Sequence, residues 1–553
     1  MTNKLKKYIL VITIAIGSLF SFGFSDNFFE ISKNLDIFTS LFKELNIYYV
    51  DETDSGDLMK TAIDAMLESL DPYTTYIPES EKEDFEFMTT GQYGGIGAVI
   101  MSRDNFVFIR EPYEGFPADK SGLKAGDKIV EIEGKTAKGK STSDISKMLK
   151  GQADTDVEVL IERVGVKKPF KVNITREEIK VSSIPYSAMV GNGVAYIRMR
   201  SFTRNVSKEV IKAYEELKSE NKVKGLILDL RGNPGGLLTE AINTANIFVD
   251  KGEVIVTTKG KVDDWDKTYK SRYEPIDKEI PLIVLINSRS ASASEIVSGV
   301  IQDLDRGLVL GQRSFGKGLV QQTKPLSYNA QLKVTTAKYY IPSGRCIQAL
   351  DYTNRNDDGS VGKTPDSLRT PFKTIKGRIV FDGGGVTPDL SLEQKSFSNI
   401  LRSVISKNLI FDFTNQYYRE NDSIGKISEF YVDSLIYEDF KQFLTTKEYQ
   451  YQTSTEKAIE ELIEEAEDEK YYEELKQQIE VLQKQMGDSK DNDIVRFQNE
   501  ISQILESEIV TRYYYQKGSA ESAIKYDQDV KKAVEILSDP LKYTAILEGD
   551  SIK

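Results

Sequence analysis

The sequence predicts a multidomain α/β protein: N-terminal helices, a small β-rich domain, an α/β core and a C-terminal helical extension. Three observations carry that expectation. At 553 residues and 39% hydrophobic content, the chain is too long for one core and not apolar enough for many membrane spans. Two apolar runs, Gly225–Leu230, broken only by Asp229, and Pro281–Ile286, read as strands buried on both faces, each followed by a helical pattern. Beyond residue 390 the pattern becomes helical and acidic.

The elements follow in order. Lys4, Lys6 and Lys7 precede an uncharged stretch from Tyr8 to Ser25. A positive region before an apolar segment of this length predicts an export signal for residues 1–25, either an uncleaved anchor or a cleaved peptide. The lysines stay inside and the bulk of the chain is exported. Residues 26–90 read as helical, because Ile31, Leu35, Phe38, Leu41, Phe42 and Leu45 recur at spacings of three and four. That stripe packs against the next domain or against a second copy. Residues 91–178 form the β-rich domain. The glycine-rich loop Gly91–Gly97 leads into an alternating strand from Ala98, and paired strands are expected at Val157–Glu162 and Phe170–Thr175. The loop lacks the Gly-Lys-Ser and the following helix that a phosphate cradle needs.

Residues 179–390 alternate strands and helices, so function is expected in loops at the carboxyl ends of strands. In the tail, residues 391–553, the glutamate run Glu460–Glu474 is a solvated face. Leu475, Ile479, Leu482 and Met486 space as one helical stripe, too short to establish a coiled coil.

Composition narrows the chemistry. The net charge is −13, which argues against nucleic acid as a partner. One cysteine, Cys346, permits no internal disulfide. The chain has no histidine, so a Ser-His-Asp triad is closed to it, as are the imidazole ligands of most hydrolytic zinc sites. A serine nucleophile would then need a lysine amine as its base.

The run Ser290-Ala-Ser-Ala-Ser-Glu295 follows the second buried strand, and Lys317 lies between Gly316 and Gly318 downstream. Ser292 at a strand-to-helix transition would have its hydroxyl exposed near a helix N-terminus. Lys317 would have to be buried to be neutral near pH 7. Gln321, at one helical turn's spacing from Lys317, could hold the amine toward the serine. The N–H of Ala293 with that of Gly235 or Gly236 could bind the tetrahedral oxyanion. No lysine follows any serine of the run by three residues, since Ala293, Glu295 and Val297 stand there. This excludes a Ser-x-x-Lys hydrolase built on that run.

Two resemblances go further. Residues 91–178, with Ala118-Asp-Lys-Ser-Gly-Leu-Lys-Ala-Gly-Asp127, resemble a PDZ domain. That resemblance implies that Gly95, Ile96 and Gly97 hold a peptide's terminal carboxylate while the peptide adds to a sheet edge. The Ser290–Glu295 run, Phe315–Gly318 with Gln321, Asp229–Gly236, Tyr340–Gln348, Leu70–Tyr73 and Gly385–Asp389 together resemble the carboxy-terminal processing (tail-specific) proteases. This resemblance implies Ser292 as nucleophile, Lys317 as base and Gln321 beside it, with Ser290 and Ser294 as the alternatives if the register differs. It implies no metal or organic cofactor. The substrates it implies are proteins with unstructured apolar C-termini, cleaved on the periplasmic side of the inner membrane for maturation or turnover of envelope proteins. The competing expectation is a non-catalytic scaffold that binds C-termini. The segment Asp351–Gly384 and the helical tail fall outside what the resemblance explains.

Overall fold

A computed structural model describes residues 28–356, 360–393 and 396–549. The expected export segment lies outside these residues. Among the described residues no helix is long and apolar enough to cross a membrane.

The core is a six-stranded sheet in sequential order: β1 (Tyr186–Met189), β2 (Val194–Arg198), β3 (Gly225–Asp229), β4 (Leu282–Ile286), β5 (Leu308–Gly311) and β6 (Leu390–Ser391). β1 is antiparallel to β2 and the other pairs are parallel. Parallel strands need crossovers. Helices α1 (Val206–Glu220), α2 (Leu238–Asn246) and α3 (Ala293–Asp303) cover one face, where Val210, Tyr214, Ala245, Val297 and Val300 bury Leu226, Leu228 and Val284.

The opposite face is closed from far along the chain. Helices α4 (Gln528–Leu537) and α5 (Pro540–Leu547) set Val530, Ala533, Ile536 and Ile546 on Tyr196, Ile227, Ile283 and Leu285. The approach is close enough that a Cβ on Gly225 would lie 3.2 Å from Leu537. The last two helices are therefore the third layer of the core, although the sequence reading set all of 391–553 apart as an extension. The rest of that region is a helical domain with its own core around Phe413, Tyr437, Phe440 and Leu505. In its hairpin of Ser454–Asp468 and Tyr472–Asp491, Ile459 and Ile479 are buried while Leu475 and Leu482 are exposed.

A second sheet roofs the site. Its long strand Gln331–Tyr340 pairs along one edge with Leu319–Pro325. Its other edge carries Val254–Gly260 and the short strand Thr75–Ile77. The region read as uniformly helical, 26–90, thus contains a strand between its helices. Asp71, whose carboxylate accepts from the backbone N–H groups of Tyr73 and Thr74 at 2.8 Å each, turns the chain from helix into that strand. The apolar stripe of the helix over residues 28–48 is exposed, with Ile31, Leu35 and Leu41 each more than half accessible.

The β-rich domain forms one sheet whose strands run Ala98–Arg103, Phe106–Pro112, Lys128–Ile132, Asp156–Glu162 and Phe170–Thr175, with Ala98–Arg103 at an edge. Helix Thr142–Leu149 buries Ile145 and Leu149 in this domain's core. The helical domain holds it through Arg103, which donates two hydrogen bonds to Asp412, and through Tyr515, whose hydroxyl donates to Asp119 at 2.8 Å. Tyr513 and Tyr514 instead donate to the carbonyls of Asn421 and Gly425.

Candidate active site

Two loops at the carboxyl ends of neighbouring parallel strands build the site. The first, Arg231–Gly236, leaves β3; the second, Asn287–Ser292, leaves β4 and ends at α3. Asn233, fully buried, ties them together. Its carbonyl accepts from the Ala291 N–H at 3.0 Å and from the Ser294 hydroxyl at 2.9 Å, and its amide donates to the Met199 carbonyl at 3.0 Å.

Within the serine run the three hydroxyls differ. Ser290 and Ser294 are fully buried. The Ser290 hydroxyl donates to the Leu230 carbonyl at 2.8 Å and accepts from the Asn287 N–H. Ser294 is committed to Asn233. Ser292 instead lines a cavity of about 870 Å³. Its backbone sits at φ 56°, ψ −113°, a region a residue with a side chain enters only under constraint.

Glu295 supplies that constraint. One turn into α3 and fully buried, its carboxylate accepts from the backbone N–H groups of Ser292 (2.7 Å), Gly316 (2.7 Å) and Lys317 (2.9 Å), and from the Ser314 hydroxyl. One side chain therefore fixes both the Ser292 segment and the Lys317 segment. Burial pushes its carboxyl up to about 7 against the pull of these four donors. Buried Tyr339 adds a second brace, its hydroxyl 2.8 Å from the Lys317 carbonyl oxygen and 3.1 Å from that of Ser292.

Lys317 lines the same cavity, with its Nζ 4.0 Å from the ring centre of Tyr73. Burial lowers its amine from 10.5 to about 8, and the positive charge of Lys333 pushes the same way; Asp71 and Glu295 oppose them. The flanking glycines are demanded by packing. A Cβ on Gly316 would meet that of Ala349 at 2.4 Å, and one on Gly318 would meet the Gln348 nitrogen at 2.8 Å. Gln348 also accepts from the Gly318 N–H at 2.7 Å. Arg345, buried with Asp303 in a 2.8 Å ion pair, anchors the Tyr340–Gln348 turn from which Gln348 projects.

Gln321 lines the cavity too, but on a strand. The helical-turn spacing read from the sequence does not exist there. Its amide nitrogen donates to Thr335 Oγ1 at 3.1 Å, which leaves the carbonyl oxygen as its acceptor end. Among the oxyanion candidates, the Gly235 N–H already donates to Asn233 Oδ1 at 2.9 Å. The N–H groups of Gly236 and Ala293 have no partner among the described residues. A Cβ on Gly235 would lie 2.9 Å from Ser292 Cβ and 3.0 Å from the Ala293 nitrogen, so the loop touches Ser292 itself. In the β-rich domain the Ile96 and Gly97 carbonyls accept from Ala118 and Tyr113, while their N–H groups have no partner among the described residues. Gly95 is the last residue of the strand Gln92–Gly95, paired with Glu177–Lys180.

Glu295, Asn233, Tyr339 and Tyr73 were given no role by the sequence reading. Glu295 had a signal, the Ser-x-x-Glu spacing of a capping box. Tyr73 and Tyr339 reach the site through long-range pairing and had none.

Comparison with known proteins agrees with this architecture. Residues 193–354 match the model of peptidase family S41, residues 108–163 that of a PDZ domain, and residues 400–537 one described as the C-terminal helical domain of a probable PDZ-protease. A carboxy-terminal-processing protease of Bartonella bacilliformis is 38% identical over 324 residues, 58% of this chain and 74% of that protein. A probable CtpA-like serine protease of Staphylococcus aureus is 35% identical over 321 residues, 57% of this chain and 63% of the relative. Among solved structures, a photosystem II D1 C-terminal processing protease is 28% identical, covering 64% of this chain and 92% of that one with a TM-score of 0.34.

Proposed function

The chain belongs to peptidase family S41, among the carboxy-terminal-processing proteases, and from that premise we propose a serine endopeptidase that works through a Ser292/Lys317 dyad. Neutral Lys317 Nζ takes the proton of Ser292 Oγ as that oxygen attacks the scissile carbonyl. The carbonyl oxygen becomes an oxyanion beside the N–H groups of Gly236 and Ala293. Lys317, now an ammonium, returns its proton to the leaving amine, and an ester to Ser292 remains. Water attacks the ester with the lysine again as base and releases the acid. Gln321 orients the amine, and no step calls on a metal or an organic cofactor.

One observation carries the reading. Of the three serines in the run, Ser292 alone lines the cavity, in strained backbone, with a buried amine of depressed pKa lining the same cavity. Substrate entry follows from the PDZ domain. The Gly95–Gly97 loop takes the terminal carboxylate of an unstructured apolar tail, which adds as a strand along Ala98–Arg103. Capture in this way raises the tail's effective concentration at the cavity. Lys4, Lys6 and Lys7 and the apolar stretch after them support export to the periplasmic side of the inner membrane, with envelope proteins as substrates. The exposed stripe on residues 28–48 supports association of two copies.

The test is cleavage of an unstructured protein with an apolar C-terminus by Ser292→Ala and by Lys317→Ala, with circular dichroism to follow folding. Both variants are expected to fold and to lose cleavage, and the double variant to be no worse than either. Full activity in Ser292→Ala refutes the dyad. Absence of cleavage by the unaltered protein on any such substrate favours the scaffold instead.

A further inference from the structure

The loop that approaches Ser292 is held from a helix far outside the matched peptidase segment, residues 193–354. Arg231, its first residue, spends its whole guanidinium on three carboxylates. Nε and Nη2 donate to Asp229 at 3.0 and 2.7 Å. Nη2 also donates to Asp527 at 2.7 Å, and Nη1 donates to Asp527 at 3.1 Å and to Asp529 at 2.9 Å. Asp229 ends β3, is buried, and accepts from the Tyr196 hydroxyl at 2.6 Å. Burial raises its carboxyl, but Arg231 and Tyr196 outweigh that and hold it below its ordinary value. Asp527 is the N-cap of α4, accepting from the N–H groups of Asp529 and Val530. The fork of a guanidinium suits such a junction, because its donors are planar and fixed in direction.

The loop needs outside restraint. Gly232, Gly235 and Gly236 all have positive φ, at 73°, 103° and 149°, and glycine resists little when its φ and ψ drift. Other bonds tether it within residues 199–294: from the Gly232 N–H to Asn287 at 2.9 Å, from the Phe202 N–H to the Gly235 carbonyl at 2.9 Å, and the bonds of Asn233 with Met199, Ala291 and Ser294. The Arg231 cluster is the tether that leads to a packed helix 296 residues away in sequence.

We propose that Asp527 and Asp529, acting through Arg231, are positioning residues for catalysis: they set the Gly232–Gly236 loop so that the Gly236 N–H faces the carbonyl under attack by Ser292. The proposal rests on the dyad and oxyanion assignment above. It gives residues 528–547 a second task besides covering the sheet, since a helix anchored on β3 and β4 carries the clamp. An oxyanion donor acts on the transition state more than on bound substrate, so loosening the clamp lowers kcat and leaves KM nearly unchanged.

The experiment uses the full chain with Asp527→Asn/Asp529→Asn, Asp529→Asn and Arg231→Lys. Asparagine still caps a helix, so the first variant removes charge without removing the cap. Readouts are kcat, KM, thermal midpoint and the affinity of a peptide aldehyde that forms a tetrahedral adduct with the serine. The expected result is a fall in kcat of about tenfold or more, KM within about twofold, and aldehyde affinity reduced in proportion to kcat/KM. Ser292→Ala is run alongside. If Ser292→Ala is active, the dyad reading fails. If it is inactive but the folded clamp variants keep wild-type kcat, only the clamp fails. A loss of kcat with unchanged aldehyde affinity also overturns the clamp, as does a rise in KM equal to the fall in kcat/KM. Should the double variant not fold, Asp529→Asn and Arg231→Lys decide by the same criteria.

Discussion

If Lys317 is the base, its protonation sets the acid limb of activity, and the groups around it set where that limb falls. An amine at its ordinary 10.5 would be neutral in about one molecule in a thousand at pH 7.5. At the value of about 8 that burial and Lys333 produce, about one in four is neutral. The cavity thus raises the active fraction about 250-fold at that pH. The sign is fixed. A lowered amine pKa gives activity that is lost as pH falls through about 8, so kcat/KM should fall about tenfold from the alkaline plateau to pH 7. The perturbation is Lys333→Met, which keeps length and removes the like charge. Asp71 and Glu295 then act unopposed by that charge, the ammonium is favoured, and the midpoint moves up by about 0.5–1 unit. At pH 7 this is a further loss of about three- to tenfold. The assay is kcat/KM on one fluorogenic peptide from pH 6 to 10, each profile normalised to its own plateau. A midpoint that stays in place or moves down refutes the account. A limb near pH 6 in the unaltered protein would refute Lys317 as the group observed.

Glu295→Gln keeps the size of a buried four-donor acceptor but removes its charge and turns an amide donor on backbone N–H groups; a loss of about 3–5 kcal/mol in unfolding free energy is expected by denaturant titration, together with activity. A peptide with a C-terminal amide should bind the full protein about tenfold more weakly than the free acid, measured by calorimetry on the inactive Ser292→Ala variant, because the loop N–H groups lose a charged acceptor. Ending the chain at residue 526 bares the sheet face of Tyr196, Ile227, Ile283 and Leu285, and should give insoluble protein in an expression test. Activity should be unchanged by a metal chelator.

The parts legible in the sequence were those with local signals. β3, apolar up to Asp229, and β4 are strands buried on both faces, and the place of Ser292 follows from a strand ending where a helix begins. Elimination pointed to a lysine as base, because a chain without histidine leaves few others, and the family resemblance pointed to Lys317. Gln321 was misread because seven residues, Leu319–Pro325, are too few for a period of 3.6 to be told from an extended strand. Thr75–Ile77 is shorter still, and it exists because Gln331–Lys333 pairs with it from some 250 residues away. The docking of α4 and α5 on the core was illegible for the same reason. Val530, Ala533 and Ile536 make an ordinary helical stripe that does not name its partner.

These nonlocal contacts bear on chemistry through one requirement. A lysine is a useful base only while it stays dry, and the S41 match, residues 193–354, does not contain everything that dries this one. The Tyr73 ring lies against its amine, and Tyr73 is placed by Asp71, Thr74 and the strand at 75–77. The Thr74 N–H and hydroxyl are held by Asp71, and that hydroxyl accepts from the Thr335 N–H at 3.2 Å. Thr335 Oγ1 accepts in turn from Gln321. A chain of hydrogen bonds therefore joins the N-terminal turn to the strand that carries Gln321. A fragment that begins at residue 78 but keeps α4 and α5 would open one wall of the cavity, rehydrate Lys317 and let its pKa climb back toward 10.5. Such a fragment could keep Ser292 and Lys317 in place and still be nearly inactive at neutral pH, with activity recovering only in strong alkali.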